Sequence, residues 1–397
     1  MKIFQSNITS NNIVAKSKWG LINITLKRSQ IYFCTTNFFN MLNMALFFNG
    51  IKNGIKELKN YNFEKENYNF IDITNRIDFP INNKKGNLSD LQNKKDNINI
   101  LIINGFVSGI GDNIVGLTAL KIFNEIYSKK FKSITYDSYN ENIMRIYQTL
   151  NRYKLITKYL SFPQKLETLK EYDAIIDLDN IHSYYEFNNM PMIDCFLQCM
   201  NVDPKKIKDK NKKNNIIIYS NTYKDLDYIF KGIKYKNNNK FLLFQFDSSA
   251  KIRGIKKELA IDIIKKLLDK TDYNIVVLSD LNYEHPRLYK LKEFSKDLDH
   301  FIYIISQMDY CITTDTSCYH FSDGLNIPTV ALFTSINPEY RIKYYDKTKG
   351  MFLGDDYEIN PLKGKFDSEL PFDLEYVDNI YKNLDVDKII KTLLSIK

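Results

Sequence analysis

The sequence predicts an α/β protein whose parallel sheets are covered by helices on both faces. From residue 98 onward, short continuous apolar runs alternate with segments of helical apolar spacing, a pattern typical of strands that are buried on both sides. Two strand–turn–helix patterns, at residues 100–127 and 311–338, carry glycine, hydroxyl or carboxylate residues at their turns. These observations predict two α/β domains with a site at the ends of their strands.

The length of 397 residues allows two or three domains with cores of their own. We predict an N-terminal accessory module at residues 1–96 and two Rossmann-like domains at 97–235 and 236–397. The apolar pattern of the module predicts strands within 20–33 and a helix over 40–60.

The net charge of +9 is concentrated in the N-terminal module. Residues 1–95 hold 14 Lys and Arg against 6 Asp and Glu, whereas the rest of the chain is almost balanced. This asymmetry indicates an acidic partner, a lipid surface or an acceptor at the module, and a solvated lysine face is the alternative.

The five cysteines indicate a reducing compartment. Their number is odd, their spacing is irregular, and no CxxC pair occurs, so neither a disulfide framework nor a metal site is expected. The N-terminus lacks the apolar core of a signal peptide, and the apolar run at 41–51 is too short to span a bilayer. We therefore expect a cytoplasmic protein without a transmembrane segment.

The elements of the two α/β domains follow from apolar runs and helical spacing. Predicted strands lie at 98–103, 133–136, 174–178, 241–246, 274–278, 310–313 and 329–333. Predicted helices lie at 113–128, 256–270 and 386–395. Asp385 is suited to be the N-cap of the last helix. The segments 82–97, 203–215 and 234–240, rich in Lys and Asn, are predicted connections, the last of them at the domain boundary.

Asp112 is the candidate catalytic residue. It ends the turn Gly109–Asp112 (GIGD) after the first strand of the first α/β domain, where open parallel sheets bind their ligands. A carboxylate there could act as the general base for an attacking hydroxyl, and burial would raise its pKa toward a useful value. The alternative is a helix cap.

The loop after strand 241–246 offers hydroxyl groups and cations beside a helix N-terminus. Ser248, Ser249, Lys251 and Arg253 suit a diphosphate, whose negative charge grows as it leaves. A generic polar turn is the alternative. Glu284, beyond strand 274–278, could bond ribose hydroxyls.

A second polar turn begins the helix after strand 310–313. Asp315, Thr316 and Ser317 lie at its N-terminus, where unpaired N–H groups and the helix dipole attract anions. His320, one helical turn further on, could bond a phosphate or orient Asp315, although a lone histidine on a helix is more often merely packed.

At these residues the chain resembles glycosyltransferase family 9, the ADP-heptose heptosyltransferases. The family begins with a strand, a glycine turn and GD, as in Ile100–Asp112. Its signature D-T-G-x-x-H, followed by P-x-V-A-L-F-G, is similar to Asp315, Thr316 and His320 and then to the run from Pro328 to Phe333. Its K-x-W-P-x-E motif is reduced here to Arg253–Glu258. The resemblance covers residues 97–397.

Three departures from the family pattern concern the donor side. Ser317 and Thr334 replace glycines, and Ile255 replaces the tryptophan. The extra N-terminal module looks like the layout of autotransporter heptosyltransferases, which modify serines of surface proteins. Those enzymes carry a cysteine-ligated iron finger, and no cysteine follows Cys318 here.

The resemblance implies a GT-B fold, with the acceptor on the first Rossmann-like domain and the nucleotide sugar on the second. It implies an inverting, metal-independent transfer of a heptose-like sugar from an ADP-heptose-like donor, with no cofactor and with Asp112 as the base. The acceptor expected is a protein hydroxyl. The alternatives are a lipopolysaccharide-core or other glycan acceptor, and a non-catalytic nucleotide-sugar-binding scaffold. A homo-oligomer and peripheral membrane contact remain open.

Overall fold

The computed structural model describes fourteen stretches of the chain, and the structural statements below concern these stretches. They are residues 2–6, 12–17, 20–25, 31–34, 70–72, 98–103, 109–127, 131–137, 156–160, 164–165, 171–177, 189–216, 223–365 and 371–396. The predicted helix over 40–60 and the predicted linker 82–97 lie outside the described residues, and the described chain resumes with a strand at residue 98.

The order of strands and helices in the described residues is that of an α/β protein. The strands are β1 Lys2–Ser6, β2 Asn12–Ser17, β3 Gly20–Thr25, β4 Ile31–Cys34, β5 Phe70–Asp72, β6 Ile98–Ile103, β7 Phe131–Asp137, β8 Lys158–Leu160, β9 Gln164–Lys165, β10 Ala174–Asp177, β11 Phe241–Gln245, β12 Asn274–Val277, β13 Leu288–Lys290, β14 Tyr310–Thr314, β15 Thr329–Phe333 and β16 Thr348–Phe352. The helices are α1 Ile110–Tyr127, α2 Met192–Cys199, α3 Lys224–Lys236, α4 Lys257–Lys270, α5 Leu298–Ser306, α6 Ser317–Gly324, α7 Glu339–Ile342, α8 Pro371–Lys382 and α9 Val386–Leu394.

The chain divides into two compact units that do not follow the sequence in one piece. The first unit comprises residues 1–107, 123–183 and 198–202, and the second comprises 108–122, 184–197 and 203–397. The first part of α1, which carries Asp112, therefore belongs to the same unit as the C-terminal half of the chain.

The first unit holds an antiparallel and a parallel sheet. The antiparallel sheet has the strand order β5-β1-β4-β9, and β2 and β3 form a separate antiparallel pair. The strands β3 and β4 agree with the strands predicted within residues 20–33. The parallel sheet has the order β10-β6-β7-β8, and its central strand β6 is fully buried at Ile100, Leu101 and Ile102.

The second unit is built on a six-stranded parallel sheet with the order β13-β12-β11-β14-β15-β16. Its strands are continuous apolar runs because helices cover both faces, and all five residues of β15 are buried. The helix α4 buries Ala260, Ile263, Ile264 and Leu267, whose spacing follows one helical face. The predicted α/β class with parallel sheets is therefore confirmed.

The core of the second unit packs helices against this sheet. On one side, residues of α4, α8 and α9 join those of the strands in a single apolar cluster that includes Leu267, Val377 and Ile389. A smaller cluster contains Tyr319, Phe333 and Ile342. Cys311 of β14 and Cys318 of α6 are fully buried, with their Sγ atoms 3.5 Å apart.

Several predicted boundaries differ from the structure. The prediction of a connection at 234–240 is wrong for its first part, because α3 continues to Lys236. The helix predicted from residue 113 begins three residues earlier, at Ile110. The predicted N-cap of the last helix is confirmed, since the carboxylate of Asp385 accepts the main-chain N–H of Lys388 at 2.9 Å.

Candidate functional site

The candidate site lies at the topological switch point of the six-stranded sheet. From β11 the chain proceeds outward through β12 to β13 and then returns to β14, on the other side of β11. The two turns that follow β11 and β14 therefore leave neighbouring strands at the same edge, which is where open α/β sheets bind ligands. These turns contain the predicted residues 248–253 and 315–317.

The turn after β11 presents two hydroxyl groups and a guanidinium group that is fixed by hydrogen bonds. The Ser248 hydroxyl lies 3.4 Å from the main-chain nitrogen of Ala250, whose N–H it accepts. The exposed Ser249 hydroxyl accepts from Nη2 of Arg253 at 3.4 Å. Lys251 is exposed, whereas the side chain of Arg253 is only 21% exposed. Arg253 is thus the more enclosed of the two predicted cations.

Arg253 joins the two turns through Asp315. Its Nη1 lies 3.5 Å from Oδ2 of Asp315 and donates to the main-chain oxygen of the same residue at 3.2 Å. The hydroxyl of Tyr319 donates to the other carboxylate oxygen of Asp315 at 2.8 Å. Asp315 is therefore oriented by Tyr319 and Arg253, and it fixes the guanidinium at the switch point.

Thr316 is the N-cap of α6. Its hydroxyl accepts the main-chain N–H of Cys318 at 3.2 Å and lies 3.0 Å from the hydroxyl of Thr313. Ser317 is the first residue of the helix and is half-buried. The predicted helix N-terminus is thus present at the switch point, and its cap is the predicted threonine.

Asp112 occupies the first turn of α1 and caps it. Helix α1 begins at Ile110, so Asp112 is its third residue, and its carboxylate accepts the main-chain N–H of Gly109. This bond is the carboxylate half of a capping box. A Cβ atom at position 109 would overlap the same carboxylate, so glycine leaves it the room that it needs.

The Gly109–Asp112 turn meets the N-terminal turn of α6. A Cβ atom added at Gly111 would lie 2.6 Å from Cδ2 of His320 and 3.6 Å from Cα of Ser317. The backbone of the first turn of α1 therefore lies directly against α6. The structure thus brings together the two polar turns that the sequence indicates separately.

Burial and the neighbouring charges together determine the pKa of Asp112. Burial raises the pKa of Asp112 from 3.8 to about 6, and the carboxylate of Asp315 adds to this rise. The guanidinium groups of Arg341 and Arg253 lower the pKa and so limit the effect of burial. A carboxylate with a pKa near 6 is ionised at neutral pH and is a stronger base than an exposed aspartate.

His320 is buried and neutral. Its Nδ1 lies 2.5 Å from the hydroxyl of Tyr345, and the residue is only 3% exposed. Burial and the nearby Arg341 lower the pKa of His320 to about 3. At physiological pH its imidazole can therefore donate or accept a hydrogen bond but carries no positive charge.

Glu284 lies on the surface. Its carboxylate forms an ion pair with Lys290, and its side chain is 81% exposed. Its placement after β12 agrees with the prediction, whereas a contact with a ribose stays a prediction.

Three polar groups of this region are buried and lack a hydrogen-bond partner among the described residues. They are Nε of Arg253 and the hydroxyls of Thr314 and Ser335. Thr314 ends β14, and Ser335 follows β15 by two residues. Because buried polar groups are nearly always paired in folded proteins, we expect a water molecule or a ligand to bond these three groups.

Arg341 and Asn214 are buried residues of this region that the sequence analysis missed. Arg341 lies in α7, is buried, and acts electrostatically on both Asp112 and His320. Its signal in the sequence was the basic–aromatic segment after Pro338. Asn214 is buried within the segment 203–215, whose Lys- and Asn-rich composition indicated a mere connection.

The described residues contain no group of three or more His, Cys, Asp or Glu side chains arranged to hold a metal ion. In the same part of the chain, no helix has both the length and the apolar character that a membrane crossing requires.

Comparison with known proteins agrees with this fold. Residues 262–371 match the model of glycosyltransferase family 9 (heptosyltransferase). No curated protein sequence matches the chain. The matched segment includes the turn of Asp315–Ser317, together with His320 and Arg341.

Solved structures of similar fold cover about three quarters of the chain. An ADP-heptose lipopolysaccharide heptosyltransferase II from E. coli matches with a TM-score of 0.50 at 12% identity, over 75% of this chain and 98% of that one. A glycosyl transferase of family 9 from Veillonella parvula matches at 0.49 and 14% identity, over 75% and 97%. The iron-containing dodecameric glycosyltransferase TibC from enterotoxigenic E. coli matches at 0.49 and 12% identity, over 76% and 79%.

The fold and the matched segment define a glycosyltransferase. Residues 262–371 are similar to the domain of glycosyltransferase family 9, the heptosyltransferase family, so the predicted resemblance to that family and the predicted GT-B fold are confirmed.

Replacing Gly111 by alanine is expected to lower both stability and activity. The added Cβ would lie 2.6 Å from the ring of His320, which is buried and held by Tyr345, so α1 or α6 must shift. We expect a loss of about 1–3 kcal/mol in the free energy of unfolding, measured by urea denaturation. Gly232→Ala is the matched control, because Gly232 is exposed in α3 and its Cβ would meet nothing within 4 Å. The control should gain up to about 1 kcal/mol. Equal stability of the two variants would contradict the close packing at Gly111.

Proposed function

We propose that the protein transfers a heptose-like sugar from an ADP-heptose-like donor to a hydroxyl of a protein acceptor, with inversion at the anomeric carbon and without a metal ion. The observation that carries this proposal is the cluster at the switch point. It combines a half-buried carboxylate of raised pKa, two guanidinium groups and the N-terminus of α6. A base opposite an anion site is what glycosyl transfer to a hydroxyl requires.

The diphosphate of the donor is proposed to bind where the turns after β11 and β14 meet. Arg253 is held there by Asp315, and α6 directs its first N–H groups to the same edge of the sheet. The unpaired Nε of Arg253 and the unpaired hydroxyls of Thr314 and Ser335 are further donors. Their role would be to stabilise the charge that develops on the departing diphosphate.

Asp112 is proposed to act as the general base of a single displacement. The acceptor oxygen attacks the anomeric carbon while its proton passes to the Asp112 carboxylate. The bond from the anomeric carbon to the diphosphate oxygen breaks, and the nucleoside diphosphate leaves with that electron pair. One displacement inverts the configuration.

Two features of this chain support a transfer without a metal ion. The guanidinium groups of Arg253 and Arg341 supply positive charge close to Asp112, and the dipole of α6 adds to it. His320 supplies no charge, because its pKa is lowered to about 3.

The proposal of a protein acceptor is supported by the extra basic module, whose position resembles the layout of autotransporter heptosyltransferases. The same basic charge would also suit a lipopolysaccharide-core acceptor and peripheral contact with an acidic lipid surface. A cytoplasmic setting is supported by the free thiols of Cys195, Cys199, Cys311 and Cys318. A homo-oligomer is part of the proposal too, as TibC is dodecameric.

A panel of donors and acceptors tests the proposal. Purified protein is incubated with ADP-, GDP- and UDP-sugars and with either a serine-rich surface-protein fragment or a lipopolysaccharide core, and products are identified by mass spectrometry. We expect transfer from an ADP-heptose to the protein fragment, undiminished by EDTA, and NMR of the product should show inverted anomeric configuration. Transfer to the lipopolysaccharide core alone would show that the acceptor is a glycan and not a protein. Nucleotide-sugar binding without turnover on any acceptor would support the non-catalytic scaffold instead.

A further inference from the structure

We propose that Asn214 is a positioning residue for Asp112, which it acts on through Thr118. This inference rests on the proposed function, because it explains how the general base is held beside the donor site.

Asn214 uses all of its side-chain hydrogen-bonding groups, although it lies in a segment of polar composition. Its Nδ2 donates to the hydroxyl of Tyr345 at 2.7 Å and to the main-chain oxygen of His320 at 3.3 Å. Its Oδ1 accepts from the hydroxyl of Thr118 at 2.9 Å. The residue is 3% exposed, and a fully satisfied buried amide of this kind fixes the geometry of its partners.

Asn214 is itself held against the end of α6. Its main-chain N–H donates to Oδ2 of Asp323 at 3.0 Å. Two residues later, the N–H of Ile216 donates to the main-chain oxygen of Gly324 at 3.1 Å. A Cβ atom at Gly324 would lie 3.2 Å from the nitrogen of Ile216, so the two segments are in close contact. Asn214 is therefore held firmly against α6, the helix whose N-terminus forms the anion site.

Thr118 connects Asn214 to the helix of the base. Thr118 lies on α1, six residues after Asp112, and its hydroxyl also lies 3.1 Å from the main-chain oxygen of Ile114. The backbone of α1 contacts α6 at Gly111, near His320. The contact at Gly111 and the hydrogen bond at Thr118 together fix both the position and the direction of the first turns of α1.

Loss of the hydrogen bond between Thr118 and Asn214 should affect proton transfer more than donor binding. The residues of the anion site lie on the turns after β11 and β14, which the bond between Thr118 and Asn214 does not hold. Asp112, by contrast, moves with α1. A displacement of about 1 Å at a reacting group can lower a rate by about 100-fold.

Substitutions at Thr118 test the proposal with a matched control. Thr118→Val keeps the shape but removes the hydroxyl, and Thr118→Ser keeps the hydroxyl. The control is Thr392→Val in α9, because the Thr392 hydroxyl donates to the main-chain oxygen of the residue four positions earlier at 2.7 Å, and Thr392, like Thr118, is half-buried. For each variant we measure kcat with the donor that the panel identifies, the Kd of ADP by calorimetry, and hydrogen exchange of the amides of residues 110–118.

We expect Thr118→Val to lower kcat by about 10–100-fold and to leave the Kd of ADP within about twofold of wild type. Hydrogen exchange over residues 110–118 should become faster, and Thr118→Ser should restore both readouts. Asn214→Ala should give a similar loss, and the double variant should lose no more than Asn214→Ala alone. Thr392→Val should resemble wild type.

Wild-type kcat and exchange in Thr118→Val would overturn the proposal. So would a parallel loss of kcat, ADP affinity and melting temperature, since that result indicates a structural role alone. The proposed function fails separately, namely if Asp112→Asn keeps its activity. An inactive Asp112→Asn together with a fully active Thr118→Val rejects only the positioning role.

Discussion

Replacing Asp112 by asparagine is expected to lower kcat/KM for sugar transfer by about 10²- to 10⁴-fold, the usual contribution of a general base. The amide oxygen can still accept the N–H of Gly109, so the capping bond of α1 can be kept. The loss should therefore appear in the rate and not in the fold. Steady-state assays with the donor and acceptor found by the panel, together with thermal melts, measure the two effects.

The pH dependence identifies the group that is lost. Since the pKa of Asp112 is raised to about 6, its protonated form persists to higher pH than that of an ordinary aspartate. Wild-type kcat/KM should fall about tenfold per pH unit below pH 6, and Asp112→Asn should lack this limb. A folded-state pKa above the unfolded one also means that the stability contributed by Asp112 is present below pH 4 and lost as the pH rises through 6. The variant should therefore be at least as stable as wild type at pH 8.

A suitable control is Asp225→Asn, which removes an exposed carboxylate from the first turn of α3. It loses a favourable interaction with the helix dipole, about 0.3–1 kcal/mol, and should keep wild-type activity. Retention of transfer in a folded Asp112→Asn would show that another group accepts the proton.

Replacing Arg253 by methionine is expected to weaken ADP binding by about 100-fold or more. The change removes the cation that joins the two turns, and it leaves the 7%-exposed carboxylate of Asp315 without this partner. Truncating one partner of an enclosed ion pair across a binding interface, here the proposed pair of Arg253 with the diphosphate, typically costs about 2–5 kcal/mol in binding. Arg253→Lys should be intermediate, because an ammonium group cannot reproduce the forked contacts with Asp315 and Ser249. Calorimetric titration with ADP measures the affinities.

Arg253→Met should also shift the acid limb of the rate profile to higher pH, because Arg253 lowers the pKa of Asp112. Lys266→Met removes one positive charge from an exposed position of α4 and should change neither the ADP affinity nor the limb. If Arg253→Met bound ADP as wild type does, the diphosphate would have to lie elsewhere.

The fold class could be predicted because a buried parallel strand is recognisable from a few neighbouring apolar residues. The strand Thr329–Phe333 was predicted with the bounds that it has, because a short continuous apolar run is typical of a parallel strand that is buried on both faces. The polar turns at Asp112 and Asp315 could be located for the same reason, as each follows such a strand. Family resemblance then connected the two turns to one activity.

The missed residues are those whose role depends on distant parts of the chain. Arg341 follows no strand of the sheet directly, and nothing in its neighbours reveals that it is buried beside Asp112. Asn214 and Lys212 lie in a segment whose composition indicates exposure. Both are nevertheless buried, and each has a partner distant in the sequence. Lys212 forms an ion pair with Asp194 at 2.8 Å, and Asn214 accepts a hydrogen bond from the hydroxyl of Thr118 at 2.9 Å. The helix end at Lys236 was missed because lysine and asparagine are common on either side of it.

The adjacent thiols of Cys311 and Cys318 can report, through chemical labelling, how often the core at the anion site opens. Both side chains are fully buried, so an alkylating reagent reaches them only when β14 and α6 separate. The rate of alkylation at these two positions, resolved by peptide mapping, therefore reports the free energy of local opening. Slower labelling with a bound nucleotide would measure how strongly that ligand closes this segment.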